Sequence, residues 1–473
     1  MIRRLTALSL TLVVSGCALG PDYERPDVTP PQSWRAITTA ESRSLADTSW
    51  WELFNDARLQ ELIHIALAEN RDLKIAIERI EEARARYGVA RSYFWPSVTV
   101  GGAGGRIQTS EGSLTHTPTT DAGGDRDNER SIYSAAADVS WEIDFFGRVR
   151  RTSEAQEALL LGTEEARRST VLALVADVAR VYFELREADR QLDIARRTLA
   201  ARSEYVQLAK DRFQGGVTPE IDFRQAEAEY RRIETIVLDL ERLVRVKENE
   251  LSVLLGRNPG DVIRGLGIDA QKLPATVPVG LPSTLLDRRP DIREAEQNLA
   301  AATANIGAAK ALLFPRFALT GSYGVASTDF DDLFEESSKS WNVLGNVLQP
   351  IFEGGRNLRR VDISESQQRQ ALYGYERTVL QAFRETEDAL VTYRKTADQV
   401  RSQADRVRAE RKVLELAELR YRGGTTNYLE VLDAQRSLFD AEIQEAQTLG
   451  THLVSLVYLY KALGGGWPAA PES

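Results

Sequence analysis

Two long stretches without proline constrain the fold of this chain most strongly. One runs from Val149 to Phe213 and the other from Leu358 to Tyr421, and each contains a single glycine. Apolar residues recur within them at spacings of three and four, the period of an α-helix. At 1.5 Å per residue each stretch predicts a helix of roughly 100 Å. Helices of this length are typical of coiled coils and helical repeats.

Both stretches end at a pair of glycines in a shared motif. Residues 212–227 read RFQGGVTPEIDFRQAE, and residues 420–435 read RYRGGTTNYLEVLDAQ. A further helical pattern follows each motif, over about 220–255 and 428–463. Because glycine readily adopts the positive φ that ends a helix, each motif predicts the tip of a helical hairpin.

The duplication extends towards the N-terminus. Residues 88–102 match residues 307–321 at an offset of 219, whereas Gly147 matches Gly355 at an offset of 208. The first copy therefore carries 11 extra residues. We assign them to the polar stretch 107–130, because variable length is typical of a surface loop.

Each copy also contains two predicted strands. They lie at about 97–107, 131–144, 316–326 and 341–352. In the second, Val139 and Trp141 alternate with Ser140 and Glu142, a pattern typical of outer-membrane β-strands. A half-buried strand in a soluble sheet is the alternative. The segment 341–352 alternates poorly and is predicted as a strand because it repeats 131–144.

Four strands from one chain cannot close a barrel, and an open sheet edge is not tolerated in lipid. If these strands lie in a membrane, several chains must complete one barrel. Three chains would supply twelve strands, an even number that suits such a barrel.

The N-terminus predicts export and lipidation. Residues 1–16 carry Arg3 and Arg4 and then an apolar stretch too short to span a bilayer. Residues 14–17, VSGC, resemble a bacterial lipobox, which implies removal of 1–16 and lipidation of Cys17, the only cysteine in the chain. Ala18 follows, where an aspartate would be linked to inner-membrane retention. A soluble secreted protein with a chance cysteine is the alternative.

Composition and motifs argue against several other classes of function. The formal charge of −10 disfavours nucleic acid as a partner. One cysteine and three scattered histidines leave little for metal binding, and no HExxH, CxxC or P-loop motif occurs. We therefore predict no catalytic residue, no cofactor and no metal, and no enzyme. An exported structural coiled-coil lipoprotein without a pore is an alternative of a different class.

Four segments together carry a family resemblance. They are GPDYERP after Cys17, WWELFNDARLQELIHIALAENRDL at 50–73, LLDRRPDIREAEQNLAAATANIGAAKALLFP at 285–315, and NYLEVLDAQRSLF at 427–439. With these segments, in this order and with the duplication, the chain resembles the TolC/OprM-type outer membrane efflux proteins, in their lipoprotein (NodT-like) branch. The resemblance covers about Cys17 to Gly465.

The resemblance implies a mixed α and β membrane fold. Three chains form a twelve-stranded β-barrel in the outer membrane, with four strands per chain, and a long α-helical barrel continues it into the periplasm. The implied segments are a signal peptide (1–16), a lipidated N-terminal segment (17–60), repeat 1 (61–265), a Pro-rich equatorial linker (266–284), repeat 2 (285–465) and a C-terminal tail (466–473).

The implied function is the exit duct of a tripartite efflux system that passes drugs or other small toxic compounds. The partners would be two further copies, a periplasmic adaptor protein, through it an inner-membrane pump, and outer-membrane lipid. An outer-membrane duct for type I protein secretion is the alternative. The hairpin tips would contact the adaptor through Gly215, Gly216, Thr218, Gly423, Gly424 and Thr425.

The family closes its periplasmic end by converging the tips of the second repeat, which implies a gate of Leu429, Asp433 and Arg436. Their spacing places all three on one helical stripe. Rings of leucine can close a pore by dewetting, and rings of aspartate select cations. Glu430 is a candidate for a second acidic ring, and because it lies three residues before Asp433 the two predict an acidic patch. Tyr421 is a further gate candidate; coiled-coil surface residues without a gating role are the alternative.

The first tip differs at the matching positions. Ile221 aligns with Leu429 and Gln225 with Asp433, so the first hairpin lacks the aspartate and is expected to be an outer, supporting hairpin.

Overall fold

A computed structural model describes residues 18–35, 44–47, 55–108, 129–271 and 278–465. The signal segment, Cys17 and the C-terminal tail lie outside the described residues, as do 272–277 of the linker and 109–128 of the loop.

Long helices and four strands alternate along the chain. The helices are α1 (Ala57–Glu69), α2 (Arg71–Ser92), α3 (Arg148–Gln214), α4 (Glu220–Leu254), α5 (Pro290–Ala311), α6 (Arg356–Arg422) and α7 (Tyr428–Ala462). The strands are β1 (Ser97–Gln108), β2 (Glu129–Ile143), β3 (Arg316–Ser327) and β4 (Lys339–Leu348). Single helical turns occupy Leu45–Asp47, Ile268–Ala270, Pro282–Thr284, Leu285–Arg288 and Glu336–Ser338.

The two longest helices correspond to the two proline-free stretches. Helices α3 and α6 have 67 residues each and continue through their internal glycines, Gly162 and Gly374. A single glycine costs a helix only about 1 kcal/mol, so neither interrupts its helix. Among the described helices, none is both long and apolar enough to cross a membrane.

The same hydrogen-bonded turn closes both hairpins. In the first, the backbone N–H of Val217 donates to the carbonyl of Arg212 at 2.8 Å; in the second, Thr425 donates to Arg420 at 2.9 Å. The second glycine of each pair, Gly216 or Gly424, has a φ of +70°. This is the Schellman geometry that strongly favours glycine, so the glycine pairs end α3 and α6 for a physical reason.

The four strands form one antiparallel sheet in the order β1-β2-β3-β4. Val98 pairs with Val139, Val139 with Gly321, and Gly321 with Val343. The fourth strand begins earlier and ends earlier than the predicted 341–352. It ends at Leu348, two residues before Pro350, which has no N–H for a strand ladder.

Two compact units divide the described residues, and each takes segments from both repeats. The first comprises the described residues up to 26 together with 81–161 and 296–373; the second comprises 27–80, 162–295 and the described residues from 374. The sheet belongs to the first unit. Both hairpin tips belong to the second unit.

The core of the second unit is apolar and helical. Its most buried side chains include Tyr182, Leu185, Ile233 and Leu251. Asp56 caps α1 by accepting hydrogen bonds from the backbone N–H groups of its first turn.

Candidate gate at the hairpin tips

The first turns of α7 have one buried and one exposed face. Val431, Leu432 and Ala434 are buried, whereas Leu429 is 55% exposed and Asp433 is also exposed. The predicted stripe therefore lies opposite the face that packs, and both side chains are accessible in the isolated chain.

The buried face of α7 packs against α6, its partner in the second hairpin, and against α3 and α4 of the first hairpin. Ala226 of α4 and Ala417 of α6 join it in one apolar cluster, with Tyr205 of α3 at the margin. The ring of Tyr428 lies 6.2 Å from that of Tyr205 and 5.9 Å from that of Tyr421. The two tips therefore pack together within one chain.

Polar contacts also join the two hairpins. Arg212 of α3 donates a hydrogen bond to the hydroxyl of Tyr421 of α6 at 2.7 Å, and its guanidinium lies 5.5 Å from the centre of that ring. The hydroxyl of Tyr205 donates to Glu418 at 2.9 Å. Burial, together with this hydrogen bond, raises the pKa of Tyr205 to about 12, so it stays a donor at neutral pH.

Arg436, the third predicted gate residue, makes an ion pair across the hairpins. Its Nε donates to Oε2 of Glu229 at 2.8 Å, and Arg232 donates to Oε1 of the same carboxylate at 2.7 Å. The side chain of Glu229 is fully buried. Burial would raise the pKa of Glu229, but the hydrogen bonds from both arginines outweigh it and lower that pKa below its usual value.

Arg202 of α3 lies near this pair without a full set of partners. It is 4% exposed, and within the described part of the chain its Nε has no hydrogen-bond partner. Burial lowers the pKa of Arg202, and the nearby charge of Glu229 offsets this only in part. The first hairpin therefore holds charged groups beneath the tips.

Glu430 does not form an unpaired acidic patch with Asp433. Its carboxylate accepts hydrogen bonds from Arg420 at 2.5 Å and from the hydroxyl of Thr426. Asp433, in contrast, is exposed and has no ion pair among the described residues. Of the two acids, Asp433 is the one with uncompensated charge in the isolated chain.

The predicted adaptor-contact residues are mostly exposed. Both glycine pairs and Thr425 are on the surface, and the Thr425 hydroxyl donates to the carbonyl of Arg420 at 3.0 Å. Thr218 is half-buried, and its hydroxyl has no partner in the part of the chain that the structure describes. The exposed surface of the tips thus combines glycine backbone with exposed side chains, among them Val217, which is 73% exposed.

Glu229 and Arg212 are contributors that motif reasoning missed. Glu229 lies between Ala226 and Ile233 at the three- and four-residue spacing of the buried face of α4. A charged residue within an apolar stripe indicates a buried charge, which needs a partner of opposite charge. Arg212 gave no such signal beyond its place before the glycine pair.

No group of three or more His, Cys, Asp and Glu side chains in the described ranges is arranged to hold a metal ion.

Comparison with known proteins places these features. The sequence model of the outer membrane efflux protein family matches residues 62–257 and 281–465. The antibiotic efflux pump outer membrane protein ArpC of Pseudomonas putida is 36% identical over 99% of this chain and 96% of its own length. The cation efflux system protein CusC of Escherichia coli is 34% identical over 98% of this chain and 99% of its own.

A solved structure of the outer-membrane channel OprN superposes with a TM-score of 0.86 at 30% identity, covering 95% of this chain and 100% of that one. A chain with a four-stranded sheet and two long helical hairpins of this kind is a protomer of an outer-membrane channel. This chain belongs to the outer membrane efflux protein family.

Family membership confirms the main sequence predictions. The fold is that of a trimeric channel to which each chain gives four strands and a long helical part. The protein is an outer-membrane efflux duct, and its partners are those of the family: two further copies, a periplasmic adaptor and an inner-membrane pump. The family is one of channels rather than of enzymes.

Proposed function

We propose that the start of α7 is the periplasmic gate of this duct. The observation that carries the proposal is the accessible stripe of Leu429 and Asp433 opposite a face that packs on the rest of the tips. In a trimer this stripe supplies three leucines, which close a narrow pore to water, and three carboxylates, which favour cations. The protein then acts as a passive duct without enzymatic activity of its own.

Contacts between the two hairpins hold the gate in its observed position. The Arg212–Tyr421 hydrogen bond, the Tyr205–Glu418 hydrogen bond and the Arg436–Glu229 ion pair all join the second hairpin to the first. Moving the second hairpin away from the first breaks them together, and we propose that the arrangement they hold is the closed state. Arg436 and Tyr421 thus contribute to the gate by linking the second hairpin to the first. Glu430 stabilises the turn through its ion pair with Arg420.

The exposed glycine tips are the proposed contact with the adaptor. The backbone of Gly216 and Gly424 is exposed and has open space around it, so a partner's hairpin can approach closely at these two positions. Substrates are proposed to be drugs or other small toxic compounds, in line with the antibiotic efflux named for ArpC. CusC is named for cation efflux, so the partner pump sets the substrate.

Cys17 is the proposed lipid anchor, after removal of residues 1–16. The residues that follow it are held in place: Leu19 donates to the carbonyl of Phe146 at 3.2 Å, just after β2. A β-carbon on Gly147 would lie 2.7 Å from Ala18, so that glycine is needed for the contact. Labelled palmitate should be incorporated into the wild-type protein and not into Cys17→Ala; equal labelling of both would refute the anchor.

Single-channel conductance in planar bilayers tests the gate. Leu429→Ala and Asp433→Ala should each raise conductance, because the first widens the constriction and the second removes its negative charge. Ile221→Ala and Gln225→Ala, at the matching positions of the first hairpin, are the controls and should leave it unchanged. Unchanged conductance in both α7 variants would contradict the gate.

A further inference from the structure

Acidic residues on the described helices often pair with an arginine three residues later. Such pairs are Glu81–Arg84, Glu165–Arg168, Asp239–Arg242, Asp398–Arg401 and Asp405–Arg408. Side chains at this spacing are neighbours on a helix, so the arginine gives the acid a local counter-ion.

Asp433 and Arg436 have this same spacing on α7, yet they do not pair. Arg436 instead reaches Glu229, a residue 207 positions away in sequence, at 2.8 Å. Asp433 stays exposed and has no ion pair in the part of the chain that the structure describes. Arg436, the arginine placed to be the local counter-ion of Asp433, is therefore paired with Glu229 instead.

The burial of Glu229 explains this choice. A fully buried carboxylate needs charged donors in place of water, whereas water solvates the exposed Asp433, which therefore gains less from a counter-ion. Arg232 supplies a first donor and is itself held over the ring of Phe439 at 5.6 Å. Arg232 donates to both carboxylate oxygens, and Arg436 adds a second charged donor, to Oε2 at 2.8 Å.

We propose that Glu229 is a positioning residue that sets the charge of the gate. By holding Arg436 on the first hairpin it leaves the carboxylate of Asp433 uncompensated, so the constriction favours cationic solutes and disfavours anions. The inference rests on the proposed gate and names the residue that gives it its selectivity. Without Glu229, Arg436 turns to Asp433 and neutralises it.

The permeability ratio of K⁺ to Cl⁻ tests this, measured as the reversal potential of the purified trimer across a KCl gradient. Glu229→Gln should lower the ratio to that of Asp433→Asn, because Arg436 is freed to pair with Asp433. Both the single and the double variant lack the ion pair between the hairpins, so any effect of opening is common to them. Adding Arg436→Gln to Glu229→Gln should therefore raise the ratio above that of Glu229→Gln alone, because no arginine is left to neutralise Asp433. A purely structural role for Glu229 would not be rescued by removing a second charge.

The two ideas fail in different ways. If Asp433→Asn lowers the ratio and Glu229→Gln does not, the role of Glu229 is overturned and the gate stands. If Asp433→Asn leaves the ratio unchanged, the gate itself is contradicted, and with it this source of selectivity.

A crystal structure of the Glu229→Gln trimer gives an independent answer. The Arg436 guanidinium should lie within ion-pair distance of Asp433; an Arg436 that stays on the first hairpin would overturn the inference. Should that variant fail to assemble, Glu229→Asp keeps the charge on a shorter side chain. It should give an intermediate ratio, and the wild-type ratio would count against the proposal.

Discussion

Removal of a single hydroxyl tests whether the contacts between the hairpins keep the duct closed. Tyr421→Phe deletes the oxygen that accepts the 2.7 Å hydrogen bond from Arg212 and keeps the ring that the guanidinium faces at 5.5 Å. Packing is therefore preserved, and the change isolates one polar contact between α3 and α6.

The structure sets the size of the expected effect. A hydrogen bond from a charged donor contributes about 1.5–3 kcal/mol when buried, and both partners here are only half-buried, so about 1 kcal/mol per chain is reasonable. If the three chains of the trimer open together, the closed state loses about 3 kcal/mol, and the open-to-closed ratio rises roughly 100-fold. Opening chain by chain would give roughly a five-fold change at each step.

Single-channel recording of the purified trimer measures this ratio as the time spent at high conductance. The matched control is Tyr458→Phe, which alters a tyrosine of α7 that is 45% exposed and makes no hydrogen bond within the described residues. Tyr421→Phe should open the channel more often, and the control should not. Equal open fractions in Tyr421→Phe and wild type would refute the claim that this contact resists opening.

Three further predictions concern the tips and the core. Gly424→Val places a bulky residue where the backbone needs a φ of +70°, a strain of about 1–2 kcal/mol or more, so efflux should be lost in a drug-susceptibility assay while the trimer still assembles. The control Gly374→Ala, at an open helical position, should keep efflux. Failure of Gly424→Val to assemble would make that glycine purely structural. Asp56→Ala removes the cap of α1 and the acceptor of the 2.7 Å hydrogen bond from Tyr182, which should cost roughly 3 kcal/mol of stability and lower the thermal midpoint of the solubilised trimer. Asp56→Asn should lower it less. Equal midpoints for Asp56→Ala and the wild type would contradict the role of this carboxylate. Burial, with the charge of a nearby acid, raises the pKa of Glu187 to about 7, so the folded state favours its neutral form. On the order of 2 kcal/mol of stability should therefore be present below about pH 4.5 and lost as the pH rises through 7. In Glu187→Gln the thermal midpoint should change less between pH 5 and pH 8 than in the wild type.

Local patterns were enough to predict the helices, the turns and the exposed stripe. Helical periodicity and the absence of proline predict α3 and α6, and the glycine pairs predict where they end. The spacing of Leu429 and Asp433 predicts one helix face, which the structure shows to be accessible. Each of these follows from residues within a few turns of one another.

The partners of the gate residues could not be predicted in the same way. The pairs Arg436–Glu229 and Arg212–Tyr421 join residues more than 200 positions apart, and they depend on which helices become neighbours. Glu430 shows the same limit, since its sequence neighbour Asp433 suggested an acidic patch. Arg420 pairs with Glu430 across the turn and removes that charge.

Cross-linking between protomers tests most directly the claim that the second hairpin, and not the first, closes the duct. Asp433→Cys and Gln225→Cys each place one thiol on matching positions of the two tips, in a chain whose only other cysteine is Cys17. With a short bifunctional thiol reagent, the account predicts covalently joined protomers and a blocked channel for Asp433→Cys, and neither for Gln225→Cys. Cross-links through position 225, or none through position 433 in the closed channel, would contradict it.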